Sequence, residues 1–386
     1  MLLENQPYPQ DVRVRPEATT LVRAGHRVQV IAPRMRSQPR RERLDGVLVE
    51  RYWLPHGHSG SSINMIIEYL VAHLQLYWRG LRALLRGTDV IHVHNPPDLL
   101  FPLGLLARSI GCRFVFDQHD LFPELVAERY GNRPLAWLAR RMQRMSQRVA
   151  DLVITTNLSQ RDAALADRNC SRDGVIVVRN ALPGSWLGYN EERRIGTLKD
   201  PHLVYVGVLE RQDGADALPA VMSMLVNDHG LAGARLTVVG PGSQLESLKA
   251  QVAEQGLSGH VNFTGGVPHA QALESIGVAD ICLDVAPCND FNHQSTMVKI
   301  VEYLTLGKPV VSFPLNETIR LGGDAIAYAP CDDLGGYARV VARLAESEKE
   351  RSELVDRARK VAKGLVWERS AEALLEGYRM LERARR

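Results

Sequence analysis

The chain has 386 residues, room for two domains of ordinary size. Its 45% hydrophobic and 24% charged residues are those of a soluble globular protein, and no apolar run reaches the roughly 18 residues of a spanning helix. The net charge is only +3, and no helix-turn-helix, zinc or RNP-type signature occurs, so nucleic acid is not an expected partner.

The opening MLLENQPYPQ lacks the positive start and apolar stretch of a signal peptide. The segment RPEATTLVRAG reads as a helix closed by Gly25, followed by the strand HRVQVIAP (26–33) and a second strand, VLVERYW (47–53). Residues 62–86 read as a long helix with Ile66, Tyr69, Leu70, Leu74 and Tyr77 on its apolar face. DVIHVHN (89–95) is a buried strand; its His92 and His94 are expected one on each side of the sheet, as packing residues rather than metal ligands. A helix and the strand CRFVFDQHD follow. The helix 134–149 places Leu138, Met142, Met145 and Val149 together, with Arg140, Arg141, Arg144 and Arg148 mostly elsewhere. Two short strands, ADLVITTN and GVIVVRNAL, complete this half.

A polar stretch, 183–202, reads as a linker. The alternation then restarts: LVYVGV (203–208), a helix at 214–227, RLTVVG, a helix, VNFTG, a helix at 268–278, ADICLDVAP, the helix TMVKIVEYLTLG and the strand KPVVSFP. Repeated strand–helix order predicts two parallel sheets with helices on both faces and a ligand crevice between the halves. The last segment, 365–386, reads as a helix packing back on the first half.

Five cysteines (Cys112, Cys170, Cys282, Cys288, Cys331) are odd in number and scattered, and read as reduced thiols of a cytoplasmic protein. Basic residues cluster at 34–46 and 140–148, either as solvated faces or as an attraction for anionic lipid or a phosphorylated acceptor.

Two segments carry chemistry. In FDQHD the imidazole of His119 lies between Asp117 and Asp120 at a strand end, where open parallel sheets face their ligands. The alternative is a loop cap bonded to backbone. In NDFNHQSTMVKIVEYLTLGKPVV a helix is expected to begin near Ser295 and Thr296, so that its free amides form an anion site. Glu302, two turns on, is placed to accept hydrogen bonds from a vicinal diol such as ribose; the alternative is a surface glutamate.

This second segment resembles the signature of retaining GT-B glycosyltransferases of family 4, in which a glutamate precedes a second glutamate by seven intervening residues, followed by a small residue, Gly and x-Pro-Val-Val. The second glutamate falls on Glu302 and the first on Gln294, a departure. ENQPYPQDVRV, HNPPDLLFPLGLLARSIGCRFVFDQHDLFPEL, VYVGVLERQDGAD and VNFTGGVP resemble a bacterial surface-polysaccharide subgroup in the same order. The resemblance implies a fold of two Rossmann-like, doubly wound α/β domains facing a cleft. These would be an acceptor-side domain (1–182), the linker (183–202), a nucleotide-sugar domain (203–364) and a crossing helix (365–386). Its first strand, Met1–Leu3, is stunted or starts upstream.

What the resemblance implies for function is transfer of a sugar from a nucleotide-diphosphate sugar to a hydroxyl acceptor with retention, without a metal at the reaction centre. His119 then meets the donor sugar, Gln294 its hydroxyls and Glu302 the ribose. The amides of Ser295, Thr296, Met297 and Val298 take the diphosphate, and Gly207 and Val267 line the nucleotide site. Two cations that grip the diphosphate elsewhere are replaced here by Val208 and Asp213; Lys299 and Arg211 are the nearby candidates. Lys299 is alternatively an i,i+3 partner of Glu302. Asp11, Arg13, Asn95 and Asp98 are acceptor-side candidates, Asp11 alternatively a helix cap. The acceptor is expected to be lipid-linked, with the basic helix on the cytoplasmic face of an anionic membrane. A sugar-nucleotide-binding protein without transfer, or an epimerase, are the alternative readings.

Overall fold

A computed structural model of the chain describes residues 1–4, 6–35, 37–54, 62–96, 98–130, 133–166, 174–189 and 194–383. The chain divides into two units, Met1–Asn180 with Ser370–Arg386, and Ala181–Arg369.

The first unit runs α1 (Val14–Arg23), β1 (Gln29–Pro33), β2 (Arg41–Leu44), β3 (Val47–Tyr52), α2 (Ser62–Leu85), β4 (Val90–His94), α3 (Phe101–Ser109), β5 (Arg113–Gln118), α4 (Phe122–Tyr130), α5 (Arg133–Val149), β6 (Leu152–Thr155), α6 (Leu158–Ala166) and β7 (Val175–Val177). The strands pair as β1-β3-β2 and as β4-β5-β6-β7. Leu2 joins the two sets, bridging in parallel to Ile31 on β1 and Val93 on β4. Only β2 runs antiparallel. The central strands bury both faces, which is why they read as continuous apolar runs such as RFVFDQ. Their side chains (Ile31, Ile91, Val93, Phe114, Phe116) form one core with Leu76 of α2 and Leu103 of α3.

Several expectations change here. The basic segment at 34–46 contains the strand β2, whose Arg41 pairs with Glu50 while Glu42 pairs with Arg51 on β3. On α2 the buried stripe is Ala72, Leu76 and Leu84; of the expected apolar face Tyr77 packs against the core, but Tyr69, Leu70 and Leu74 are exposed, and the Ile66 side chain lies outside the described residues. On α5 the buried face is Ala136, Ala139, Gln143, Ser146, Gln147 and Val149; of the expected apolar face only Val149 is buried, Met142 and Met145 are half-buried and Leu138 is exposed. Small and amide side chains are needed there because Ser146 donates to the Asp98 carbonyl and Gln147 to Gln118.

The second unit runs β8 (His202–Val206), α7 (Leu218–Asn227), β9 (Arg235–Val239), α8 (Leu245–Glu254), β10 (Val261–Gly265), α9 (His269–Gly277), β11 (Ile281–Leu283), α10 (Asp290–Gln294), α11 (Val298–Thr305), β12 (Val310–Ser312), α12 (Asn316–Gly322), β13 (Ala327–Tyr328), α13 (Leu334–Glu346), α14 (Glu348–Ala362) and α15 (Trp367–Arg383). Its sheet is parallel throughout, in the order β10-β9-β8-β11-β12-β13. This is doubly wound order, and chain direction across the sheet reverses between β8 and β11. The stretch read as a linker is packed where it is described: Trp186 packs against one of this unit's cores and Leu198 belongs to another. The part of α15 from Ser370 onward counts with the first unit, where Ser370 bonds the Arg179 backbone and Gly377 lies against Leu152 and Ile176.

Cys288 and Cys331 form a disulfide, which corrects the reading of five reduced thiols. The loops after β11 and β13 bring these residues, 43 apart in sequence, to a Cα separation of 5.7 Å. Cys112 and Cys282 are free and buried; Cys170 lies outside the described residues. Among the described residues no helix is long and apolar enough to cross a membrane.

Candidate functional site

The reversal between β8 and β11 places Gly207 and Asp284, each just beyond a strand end, beside the start of α11. Lys299, in the first turn of α11, reaches back to them. Its Nζ lies 3.3 Å from Asp284 Oδ1, 3.2 Å from the Tyr205 hydroxyl and 4.5 Å from that ring's centroid. A Cβ at Gly207 would crowd this contact, standing 3.0 Å from Lys299 Cε and 3.1 Å from the Tyr205 hydroxyl. Burial alone would lower the Lys299 pKa. Tyr205, Asp284 and Asp213 outweigh it and hold the ammonium above its usual value, so it stays charged. Lys299 is therefore no surface partner of Glu302.

Tyr303 of α11 fixes the two strand ends, accepting from Val206 N at 2.9 Å and donating to the Leu283 carbonyl at 3.2 Å. Asp284 is fully buried and also accepts from Ser312. Asp213 is partly buried near Lys299; burial raises its pKa, against the pull of that cation. Val208 is exposed, and Arg211 is exposed at the start of a 3-10 turn, with no partner among the described residues.

The α11 helix begins at Val298, with Met297 as an extended N-cap, two to three residues later than expected. The short α10 before it uses up part of the segment: Ser295 donates to the Phe291 carbonyl, and Gln294 donates to the Asp290 carbonyl. Of the expected amides, Ser295 N is taken by the Asn292 carbonyl; those of Thr296, Met297, Val298 and Lys299, and the buried Thr296 Oγ1, have no hydrogen-bond partner among the described residues. Glu302 is nearly buried, and its Oε1 accepts from His269 Nε2 at 2.7 Å. That bond raises the His269 pKa, against a smaller loss from burial. His269 opens α9 two residues after the half-buried Val267. Sequence reasoning missed His269 and Asp284; the only signal was that each follows a strand end.

In the first unit Asp11 caps α1, its Oδ1 accepting from Arg13 N at 2.9 Å and Val14 N at 3.3 Å. It also pairs with the Arg13 guanidinium, which lies 3.5 Å from Asp120. Burial opposes ionisation of Asp11, but Arg13 holds its pKa below the usual range. The Asn95 side chain is committed to the fold: Oδ1 accepts from His119 N and Asp120 N, and Nδ2 donates to Asp98 and the Asp120 carbonyl. Burial pushes Asp98 up to about 7.

His119 is buried at 7% exposure, so its ring does not stand free in solvent. Its Nε2 lies 2.9 Å from His94 Nδ1 and 3.4 Å from Asp117 Oδ2, while Nδ1 has no partner. His92 and His94 lie on the same side of the sheet, stacked with centroids 4.3 Å apart, which corrects the expectation of opposite faces. Residues two apart on a strand share a face. His92 Nε2 lies 3.1 Å from Asp117 and its Nδ1 2.8 Å from the Tyr378 hydroxyl. Burial lowers both histidines, His94 to about 3. Burial also opposes ionisation of Asp117, yet the imidazoles hold it well below its usual value; burial and Asp117 push Glu17 well above.

Two units of this kind, each with a parallel sheet clothed by helices, define the GT-B class of glycosyltransferase. Residues 10–181 match the glycosyl transferase 4-like domain and residues 200–347 the glycosyl transferases group 1. The chain belongs to this group, the family 4 glycosyltransferases of GT-B fold. Sucrose-phosphate synthase from Thermosynechococcus elongatus is similar in structure, with a TM-score of 0.76 at 19% identity over 97% of this chain and 94% of that one. The Anabaena protein HepE, solved in complex with UDP-glucose, has a TM-score of 0.70 at 14% identity over 98% of each chain. WaaG, a glycosyltransferase involved in lipopolysaccharide biosynthesis, has a TM-score of 0.66 at 14% identity over 97% and 98%. At these identities the likeness is one of fold. No curated protein matches in sequence.

Proposed function

We propose that the protein is a retaining glycosyltransferase that uses a nucleoside-diphosphate sugar and a hydroxyl acceptor. The observation that carries this reading is the placing of Gly207, Lys299 and the α11 amides at the strand-order reversal, where doubly wound sheets take their ligands. The diphosphate lies against the amides of Val298 and Lys299 and the Thr296 hydroxyl, with the Lys299 ammonium supplying fixed positive charge. Glu302 takes the ribose diol, Val267 lies on the base side, and Gln294 offers its amide to sugar hydroxyls. HepE was solved with UDP-glucose, which supports uridine as the first base to try.

In the reaction the acceptor O–H attacks the anomeric carbon on the face the diphosphate leaves. The C–O bond to phosphate breaks, and a diphosphate oxygen takes the acceptor proton, giving glycoside and nucleoside diphosphate. No metal is required at the reacting carbon, because the helix start and Lys299 stabilise the departing charge. The family resemblance assigns His119 to the sugar, and Asp11, Arg13, Asn95 and Asp98 to the acceptor. Exposed Leu135, Trp137 and Leu138 beside Arg140, Arg141 and Arg148 on α5 support docking on an anionic bilayer, a lipid-linked acceptor and a place at the cytoplasmic face.

The test is release of nucleoside diphosphate from UDP-, GDP- and ADP-sugars with and without lipid-linked and simple alcohol acceptors, with the product's anomeric centre read by NMR. Acceptor-dependent release with unchanged configuration is expected. Inverted product contradicts retention, and binding without release on any acceptor favours the non-transferring reading.

A further inference from the structure

We propose that Glu17, His94, Asp117 and His119 form a binding site for a divalent transition-metal ion, zinc being the best match, between α1 and the ends of β4 and β5. These four offer ligand atoms that lie within 4.8 Å of one another, and all four residues are buried. Three of the atoms are already close to coordination geometry. His94 Nδ1 and His119 Nε2 are 2.9 Å apart, and Asp117 Oδ2 stands 3.3 Å and 3.4 Å from them. A tetrahedral ion with bonds of about 2.0–2.1 Å to nitrogen and oxygen has ligand edges of about 3.3 Å. Glu17 supplies the fourth corner; it lies against Asp117, and its buried Oε2, 3.9 Å from His92 Nε2, has no hydrogen-bond donor within reach among the described residues. Two imidazoles and two carboxylates form a borderline donor set, suited to zinc rather than to calcium or magnesium.

The surroundings match those of a bound cation. His92 bonds Asp117 through Nε2 and is itself held by the Tyr378 hydroxyl, the outer layer that fixes a ligating carboxylate. Asp11, Asp117 and Asp120 place three carboxylates around one guanidinium, Arg13, and Glu17, held protonated beside Asp117, would add a fourth on giving up its proton to a cation. A divalent cation offsets that imbalance inside a region where unpaired charge is costly. The four ligands come from three elements far apart in sequence, so no motif spacing announces them. With Nε2 of His119 in the ligand set, its Nδ1 stays outside it, and the ion touches no reacting atom of the proposed transfer. The ion would act as a clamp on the strand ends, and the site does not depend on the transfer reading.

Metal content measured on untagged protein purified without chelator tests this, because it reads neither donor nor product. About one zinc, or another first-row divalent ion, per chain is expected. After removal and replacement by Co2+, visible absorption of the intensity of four-coordinate cobalt should appear, a measurement that needs no variant. Glu17→Gln and Asp117→Asn should each weaken metal binding at least tenfold, and His92→Gln roughly 10–100-fold, with far-UV circular dichroism confirming a folded chain. Wild-type protein that is metal-free and takes up no Zn2+ or Co2+ on dialysis overturns the proposal, as do folded variants that keep their metal in full.

Discussion

Glu302 accepts from His269 with one oxygen, so its carboxylate is already oriented for the ribose diol proposed for it. Hydrogen bonds to a charged group contribute about 1.5–3 kcal/mol, so Glu302→Gln should weaken nucleoside-diphosphate binding by about 10–100-fold in calorimetry while leaving the fold intact. Because Glu302 raises the His269 pKa against the effect of burial, the NMR titration of that ring should run above the free value of about 6.5, and Glu302→Gln should bring it down to that value or below. The sign follows. A raised histidine contributes stability that is complete below about pH 6.5 and is lost as pH rises through the higher folded value. Asp213 sits near Lys299 where the related pattern carries a cation, and like charge disfavours a diphosphate. Asp213→Asn should therefore tighten nucleoside-diphosphate binding several-fold, read by the same calorimetry; weaker binding would mean that Asp213 serves the site by orienting Lys299.

At the level of elements, the disulfide ties the loop before α10 to the loop after β13. Closing a loop of that length stabilises by up to about 4 kcal/mol in the chain-entropy model, so Cys331→Ser should lower the melting temperature of non-reduced protein. Alkylation on lysis, before oxidation in air, tells whether this bond exists at the proposed cytoplasmic location. On α5, replacing Arg140, Arg141, Arg144 and Arg148 should abolish flotation with anionic liposomes if the helix docks there; flotation unchanged by the replacement removes the membrane from the account. The strands were legible in sequence because β-branched runs buried on both faces leave a plain pattern. Helix faces were less so: Leu70 and Leu74 of α2 and Leu138 of α5 lie exposed, while α2 buries Ala72, Leu76 and Leu84 and α5 buries mostly small and amide residues, so periodicity misplaced the buried stripe. The start of α11 was misplaced because the one-turn α10 took up the residues before it.

For the molecule as a whole, the parallel order β10-β9-β8-β11-β12-β13 turns a set of local patterns into a site. Glu302, Gly207 and Lys299 could be picked out along the chain, since each lies beside a strand end or in a motif. Asp284 and His269 could not, because their importance comes from contacts with residues 15 and 33 positions away. Of the buried histidine–carboxylate cluster, His94, Asp117 and His119 stood out along the chain, but Glu17 and the meeting of all four did not, being assembled by topology from α1, β4 and the end of β5. The family match covers both units, yet the base, sugar and acceptor follow from neither fold nor family. Calorimetric titration of the whole protein with UDP, GDP and ADP, repeated on Glu302→Gln, tests the central claim most directly. The account predicts that one of the three binds and that the substitution weakens it at least tenfold. Binding of none, or binding unaltered by the change at Glu302, would contradict it.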